Sequence, residues 1–94
     1  MLRITQQPGV GQATLLLEGN LLKEWIAELQ QALAKARSDG AAVGLDLSGL
    51  RFLDAEGAGF LRECRKHGVS LFGASPFVSA LLDPPPPRRR RSRS

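Results

Sequence analysis

The spacing of hydrophobic residues divides the chain into short strands and helices. Leu2 and Ile4 lie two residues apart, which is the period of a strand, and they predict a strand over residues 2–7. A longer apolar run predicts a more deeply buried strand over residues 12–18, and the short turn between the two indicates a hairpin. Gly19 is expected to end this second strand.

A period of three to four residues follows and predicts an amphipathic helix over residues 21–37. Its apolar stripe consists of Leu22, Trp25, Ile26, Leu29, Leu33 and Ala36. Trp25 is interpreted as a core residue of this helix, and an interface anchor is the alternative. Strict alternation then predicts a strand over residues 43–47, and a loop is expected over residues 48–53.

Asp54 is predicted to cap a second helix over residues 55–67, because its carboxylate can accept hydrogen bonds from the free backbone N–H groups of the first turn. Residues 69–72 have the pattern of a further buried strand, and a serine–proline pair predicts a short third helix over residues 76–82. The order β-β-α-β-α-β-α indicates an α/β domain with a mixed sheet, in which each strand after the hairpin arrives through a helical crossover.

The formal net charge of +4 comes from the end of the sequence. Residues 84–94 read PPPPRRRRSRS, and prolines beside mutually repelling arginines predict a disordered tail after a domain of residues 1–83. Outside that tail, the sequence has eight basic and nine acidic residues. Because these charges nearly balance, the domain gives no reason to expect nucleic acid on its surface. Contact with nucleic acid or acidic lipid is considered only for the tail arginines, Arg88, Arg89, Arg90, Arg91 and Arg93.

The residue types that catalysis or metal binding requires do not cluster in the sequence. His67 is the only histidine, Cys64 is the only cysteine and no phosphate-binding loop is found, so we predict no enzyme, no cofactor and no metal site. Asp46, Asp54 and Glu56 lie near one predicted sheet edge, but capping and solvation explain them more simply than magnesium. Because no targeting signal and no apolar run of roughly 20 residues is present, a cytoplasmic location is expected.

The segment VGLDLSGLRFLDAEGAGFL, from Val43 to Leu61, resembles the central signature of the STAS domain family. In that family a strand written LDLSG-x-x-F-x-D leads into a D-S-S-G-L-G turn that opens a helix. The LEG segment that ends at Gly19 and the run LFGASPFV, which begins at Leu71, resemble two further family segments, so the resemblance spans about residues 2–82.

The resemblance implies an α/β fold and a non-catalytic protein-interaction module. The expected kind of module is an anti-sigma factor antagonist, a bacterial-type regulator in signalling and transcription regulation. A cytoplasmic accessory subunit of a membrane transporter is the alternative, and a small-ligand or nucleotide-binding domain is a second one. The implied protein partner is an anti-sigma factor, a kinase-like regulator or a transporter subunit. A homodimer is a further expectation, because many members continue with another strand and helix that would cover apolar surface.

The family resemblance also implies a docking face over residues 48–59. The expected partner-binding residues are Ser48, Asp54, Ala55, Glu56, Gly57, Ala58 and Gly59. In regulatory members a partner kinase phosphorylates the second serine of the D-S-S-G turn, and the phosphate releases the partner. Glu56 stands at the position of that serine and Ala55 at the position of the first, so no phosphorylation is expected there and binding is expected to be independent of it.

Overall fold

Four strands form one mixed sheet in the order β1-β2-β3-β4, in a computed structural model that describes residues 1–9, 12–38, 40 and 42–84. β1, Leu2–Gly9, pairs antiparallel with β2, Gln12–Leu21. β3, Ala42–Leu53, is parallel to β2, and β4, Ser70–Phe72, is parallel to β3. The predicted hairpin and α/β order are therefore confirmed.

The helical segments are a 3-10 turn at Lys23–Trp25, α1 at Ile26–Ser38, α2 at Ala55–Lys66 and α3 at Pro76–Leu82. The first helix begins later than predicted, because Leu21 still belongs to β2 and the 3-10 turn comes before α1. His67 is the C-cap of α2, and Gly68 has a φ of 93°, which places it in the left-handed region that favours glycine. The predicted bounds of α3 are confirmed.

Two predicted strand breaks are wrong. β2 continues through Gly19, and β3 continues through the expected loop over residues 48–53. Gly19 has a φ of 99°, and a Cβ there would collide with the carbonyl oxygen of Met1. The pairing of β2 with β3 shifts register between Leu16 and Glu18 and again between Gly19 and Asn20. Glycine thus lets the strand continue through a close approach of the backbone instead of ending it.

Aliphatic side chains between the helices and one face of the sheet form the core. β2 and β3 contribute fully buried leucines, and α1 and α2 add Leu29 and Leu61. The opposite face of β2 carries Thr14, Leu16 and Glu18, which stay half-buried, so the helices cover one face of the sheet.

β4 differs from the buried strand predicted over residues 69–72. Val69, just before it, is buried, but Phe72 is 43% exposed. β4 is an edge strand with one open side, which explains why its hydrophobic residues are not enclosed. Trp25 packs against the core as interpreted, although its side chain is only partly buried.

Candidate docking site

Asp54 connects the starts of two helical segments where β2 and β3 end. Its Oδ1 accepts a hydrogen bond of 2.7 Å from the backbone N–H of Gly57, which confirms the predicted N-cap of α2. Its Oδ2 accepts one of 2.9 Å from the backbone N–H of Lys23, the first residue of the 3-10 turn. The backbone N–H of Asp54 also donates to the carbonyl oxygen of Leu21 at 3.2 Å. The carboxylate therefore fixes the start of α2 against the start of the first helical segment.

Ala55 and Glu56 form the exposed part of the first turn of α2. Phe52, two residues before the cap, is 40% exposed and adds an aromatic ring to the surface near this end of β3. The carboxylate of Glu56 lies at the positive end of the helix, where such a charge gains about 0.3–1 kcal/mol.

The next two expected partner-binding residues, Gly57 and Ala58, are buried. A Cβ on Gly57 would lie 2.5 Å from the carbonyl oxygen of Leu21, so only glycine lets α2 approach the end of β2 this closely. Gly59 is different, because a Cβ there would have one heavy atom within 4 Å, the Nη2 of Arg62 at 4.0 Å. Gly57 and Ala58 shape the site from inside, and Gly59 lies on its outer side.

Ser48 lies apart from the start of α2. Asp54 follows Ser48 by six positions along the extended strand, which corresponds to roughly 20 Å. Its backbone N–H donates to Oδ1 of Asp46 at 3.0 Å, and a Cβ on Gly73 would lie 3.4 Å from the Cβ of Ser48. The structure thus brings residues 54–59 together and places Ser48 beside the end of β4.

A groove of about 490 Å³ lies between the start of α1 and the first three turns of α2. Its lining residues are Ile26, Ala55, Glu56, Gly59, Phe60 and Glu63. Phe60 and Glu63 also line a second cleft, of about 300 Å³, further along the two helices. Cys64 lines this cleft, and burial raises the pKa of its thiol, while nearby Arg37 lowers it in part. Aromatic and aliphatic side chains with two carboxylates make the first groove suitable for a peptide or a protein segment.

Two arginines of α2 fasten the end of α3. Arg65 donates to both carboxylate oxygens of Asp83, at 2.9 and 2.7 Å, and Arg62 donates to the carbonyl oxygen of Leu82 at 2.5 Å. The hydrogen bond from Arg65 holds the pKa of Asp83 below its ordinary value. These contacts, which we call the arginine clamp, fix the point where the chain leaves α3 at Pro84. Sequence reasoning missed the clamp, because no periodic pattern relates residues 18 positions apart.

No group of three or more His, Cys, Asp or Glu that could hold a metal ion occurs among the residues that the structure describes. Within the same part of the chain, no helix is long and apolar enough to cross a membrane. The tail arginines lie outside the described residues: Arg88, Arg89, Arg90, Arg91 and Arg93. The predicted tail disorder and the contact of these arginines with nucleic acid or lipid stay predictions.

Residues 4–83 match the family described as "Mlab, STAS domain". No curated protein sequence matches the chain significantly. The anti-sigma factor antagonist SpoIIAA, in its unphosphorylated form, is similar in structure, with a TM-score of 0.63 and 17% identity over 87% of this chain and 81% of that one.

A second similar structure is a protein of the DUF3478 family with a SpoIIAA-like fold, from Shewanella loihica PV-4. Its TM-score is 0.53 at 18% identity, over 88% of this chain and 80% of that chain. At these identities the two solved structures show the shared fold.

Proposed function

This chain belongs to the STAS domain family, and from that membership we propose that it is a non-catalytic protein-interaction module of the anti-sigma factor antagonist kind. We propose that it functions in the cytoplasm, in signalling or transcription regulation. The observation that carries the proposal is the start of α2, where Asp54 accepts two backbone hydrogen bonds and Ala55 and Glu56 are exposed. A surface already held in one conformation loses little entropy when a partner binds.

We assign different roles to the residues of the docking site. Ala55, Glu56 and Gly59 are the contact residues, because they line the groove between α1 and α2. Asp54, with the buried Gly57 and Ala58, positions the turn that presents them. Ser48, beside the end of β4, lies apart from this surface and receives no contact role in it.

The apolar part of the groove suits an anchor side chain from a partner protein. Ile26 and Phe60 line it on opposite helices, and interface energy concentrates where such side chains are enclosed by a partner. Glu56 and Glu63 line the same groove and disfavour the phosphates of a nucleotide there. The groove therefore favours a protein segment over the small-ligand alternative.

The experiment is affinity capture with the full chain as bait, compared with an Ala55→Arg variant. Position 55 is exposed, so the arginine leaves the fold intact but blocks the surface. We expect a soluble regulator in the wild-type capture and at least a tenfold weaker interaction for the variant, which is about 1.4 kcal/mol. Equal capture by both proteins, with matching circular dichroism spectra, would disprove the docking site. Capture of a membrane complex instead would favour the transporter subunit.

Glu56 provides the test of phosphorylation independence. A carboxylate brings one negative charge, whereas a phosphate brings about 1.5 to 2 and more acceptor oxygens. We propose that Glu56 serves the helix start and does not imitate a phosphorylated serine. Glu56→Ser should then lower the free energy of unfolding by about 0.3–1 kcal/mol and leave the Kd for the captured partner unchanged. A clear gain in affinity would show that Glu56 imitates the phosphate.

A further inference from the structure

A continuous depression crosses the outer surface of α2 from the arginine clamp to the groove beside α1. Its first part, of about 430 Å³, is lined by Gly59, Arg62, Glu63, Arg65 and Lys66. Gly59 and Glu63 also line the groove between α1 and α2, so the two depressions meet there. We call the two together the α2 channel. We propose that the α2 channel is the docking site of the Pro/Arg segment of the same chain, residues 85–94.

The arginine clamp fixes the residues just before this segment at one end of the α2 channel. Arg62 and Arg65 line the channel and bind Leu82 and Asp83, so Pro84 begins beside it. Along α2, Glu56 lies nine residues before Arg65, which is about 13 Å at the helical rise of about 1.5 Å per residue.

A proline-rich chain in the polyproline conformation advances about 3.1 Å per residue, so in that conformation Arg88 would lie about 12 Å and Arg91 about 22 Å beyond Pro84. The segment is therefore long enough to cross from the clamp side of α2 to the channel end at Glu56.

The charges of the segment and of the Glu56 end of the channel match in sign and spacing, whereas Arg62, Arg65 and Lys66 line the clamp end, which the uncharged prolines would cross. Glu56 and Glu63 are seven residues apart, so they lie on one side of α2 about 10.5 Å apart along its axis. Arginines three residues apart in a polyproline helix lie on one side of it, about 9.3 Å apart, as Arg88 and Arg91 would.

Both carboxylates are accessible to a new partner. Among the described residues, Glu56 takes part in no ion pair, and Glu63 has one exposed contact of 3.7 Å with Lys66. Carboxylate–guanidinium pairs of this kind form short, charge-assisted hydrogen bonds.

Gly59 supplies an independent reason to expect a chain over the channel. A glycine inside a helix destabilises the helix relative to alanine. At Gly59 no close packing compensates this cost, since only the end of the Arg62 side chain lies within 4 Å of a Cβ built there. The missing side chain keeps the channel open where its two parts meet, and Phe60 beside it offers the aromatic surface on which proline-rich segments pack.

Docking of this segment would regulate the site described above, and that consequence rests on the proposed function. The channel includes Ala55, Glu56 and Gly59, so a docked segment and a protein partner cannot both occupy it. A tethered segment has an effective concentration in the millimolar range, which makes even weak charge contacts effective. The arginines thus act as an intramolecular competitor that a partner must displace.

The experiment measures paramagnetic broadening in the full chain. A nitroxide is attached at position 92 through Ser92→Cys in a Cys64→Ala background, and amide signals of the ¹⁵N-labelled protein are recorded at low salt. We expect the amides of Glu56, Gly59 and Glu63 to lose more than half of their intensity, while those of β1 keep theirs. The variant Glu56→Gln/Glu63→Gln, which removes both negative charges, should abolish the broadening.

The matched control Glu18→Gln/Glu28→Gln makes the same change of charge outside the channel and should leave the broadening intact. Broadening that is absent from α2, or that persists in Glu56→Gln/Glu63→Gln, overturns the proposal. Docking between two copies is tested by mixing protein that carries the nitroxide but no ¹⁵N with ¹⁵N-labelled protein that carries no nitroxide. Broadening of α2 in that mixture at the strength seen within one chain would overturn docking on the same chain.

A separate titration distinguishes the docking from the proposed function. Changing Arg88, Arg89, Arg90 and Arg91 to Gln should lower the Kd of the captured partner, because the segment no longer competes for the channel. If the segment occupies the channel about nine-tenths of the time, about one-tenth is open to the partner, and the Kd should fall about tenfold. Broadening without a gain in affinity would overturn the competition and the use of this surface by the partner, while the docking of the segment would stand.

Discussion

The carboxylate of Asp54 accepts two backbone hydrogen bonds, and each comes from a different helical segment. The bond from Gly57 caps α2, and the bond from Lys23 holds the 3-10 turn that leads into α1. Each satisfies a backbone donor that the helix geometry leaves free. At the level of single residues, Asp54 therefore affects stability more than Glu56, whose carboxylate gains only from the charge distribution of the helix.

Replacing Asp54 should show this difference. Asp54→Ala removes both acceptors, and we expect the free energy of unfolding to fall by about 1–3 kcal/mol in urea titrations. Asp54→Asn keeps one good capping oxygen and should lose less. Glu28→Ala, an exposed change on α1, serves as control and should lie within about 0.5 kcal/mol of wild type. A loss for Asp54→Ala no larger than the control would contradict the double role of this carboxylate.

Asp83 should titrate below its ordinary pKa of 3.8, because Arg65 donates hydrogen bonds to its charged form. A carboxyl whose pKa is lower in the folded than in the unfolded protein stabilises the fold above the unfolded pKa. That contribution is lost as the pH falls through the folded pKa. In Arg65→Gln the pKa of Asp83 should rise toward 3.8, which carboxyl ¹³C chemical shifts can follow. The same titration curve in both proteins would show that the ion pair does not persist in solution.

At the level of elements, α2 contains two glycines with opposite environments. Gly57→Ala places a methyl group 2.5 Å from the carbonyl oxygen of Leu21, and we expect a loss of roughly 1–2 kcal/mol in the free energy of unfolding. Gly59→Ala meets open space and should stabilise by about 0.5–1 kcal/mol, measured by the same denaturant titration. Each variant is the control for the other. Equal shifts of the same sign would contradict the packing described for α2.

The elements also show which features local sequence determines. α3 could be predicted with its bounds, because Ser75 accepts from the N–H of Val78 at 3.1 Å and Pro76 suits the first helical position. The full lengths of β2 and β3 could not, because Gly19 and Gly49 indicate a break locally while pairing between the strands extends both.

The same division holds within the site. The bond from Gly57 to Asp54 spans three residues and was predicted as a cap. The bond from Lys23 spans 31 residues, and the α2 channel depends on how α1, α2 and α3 pack, so neither has a periodic signal in the sequence. Sequence reasoning therefore located the turn but not the groove beside it.

At the level of the whole molecule, the arginine clamp fixes Leu82 and Asp83, close to the last described residue, to α2. A chain ending at residue 84 keeps Asp83 and Leu82 bound to α2, whereas one ending at residue 81 loses both contacts and the buried Leu82. We expect the first truncation to keep the Tm of the full chain in 0.5 M NaCl and the second to lower it by several degrees. Equal Tm values for the two truncations, measured by calorimetry, would contradict the clamp. The expected homodimer stays a prediction, which sedimentation can check on the same samples.

The three-residue length of β4 has a consequence for the order in which parts of the protein open. β2 lies between two partners along its length, so its amide protons should exchange with solvent only in global unfolding. β4 has one partner strand and three residues of pairing, and α3 follows directly. In native-state hydrogen exchange, β4 and α3 should therefore open together at lower free energy than the rest. Each such opening would release the segment after Pro84 from its fixed starting point and expose the α2 channel for that moment.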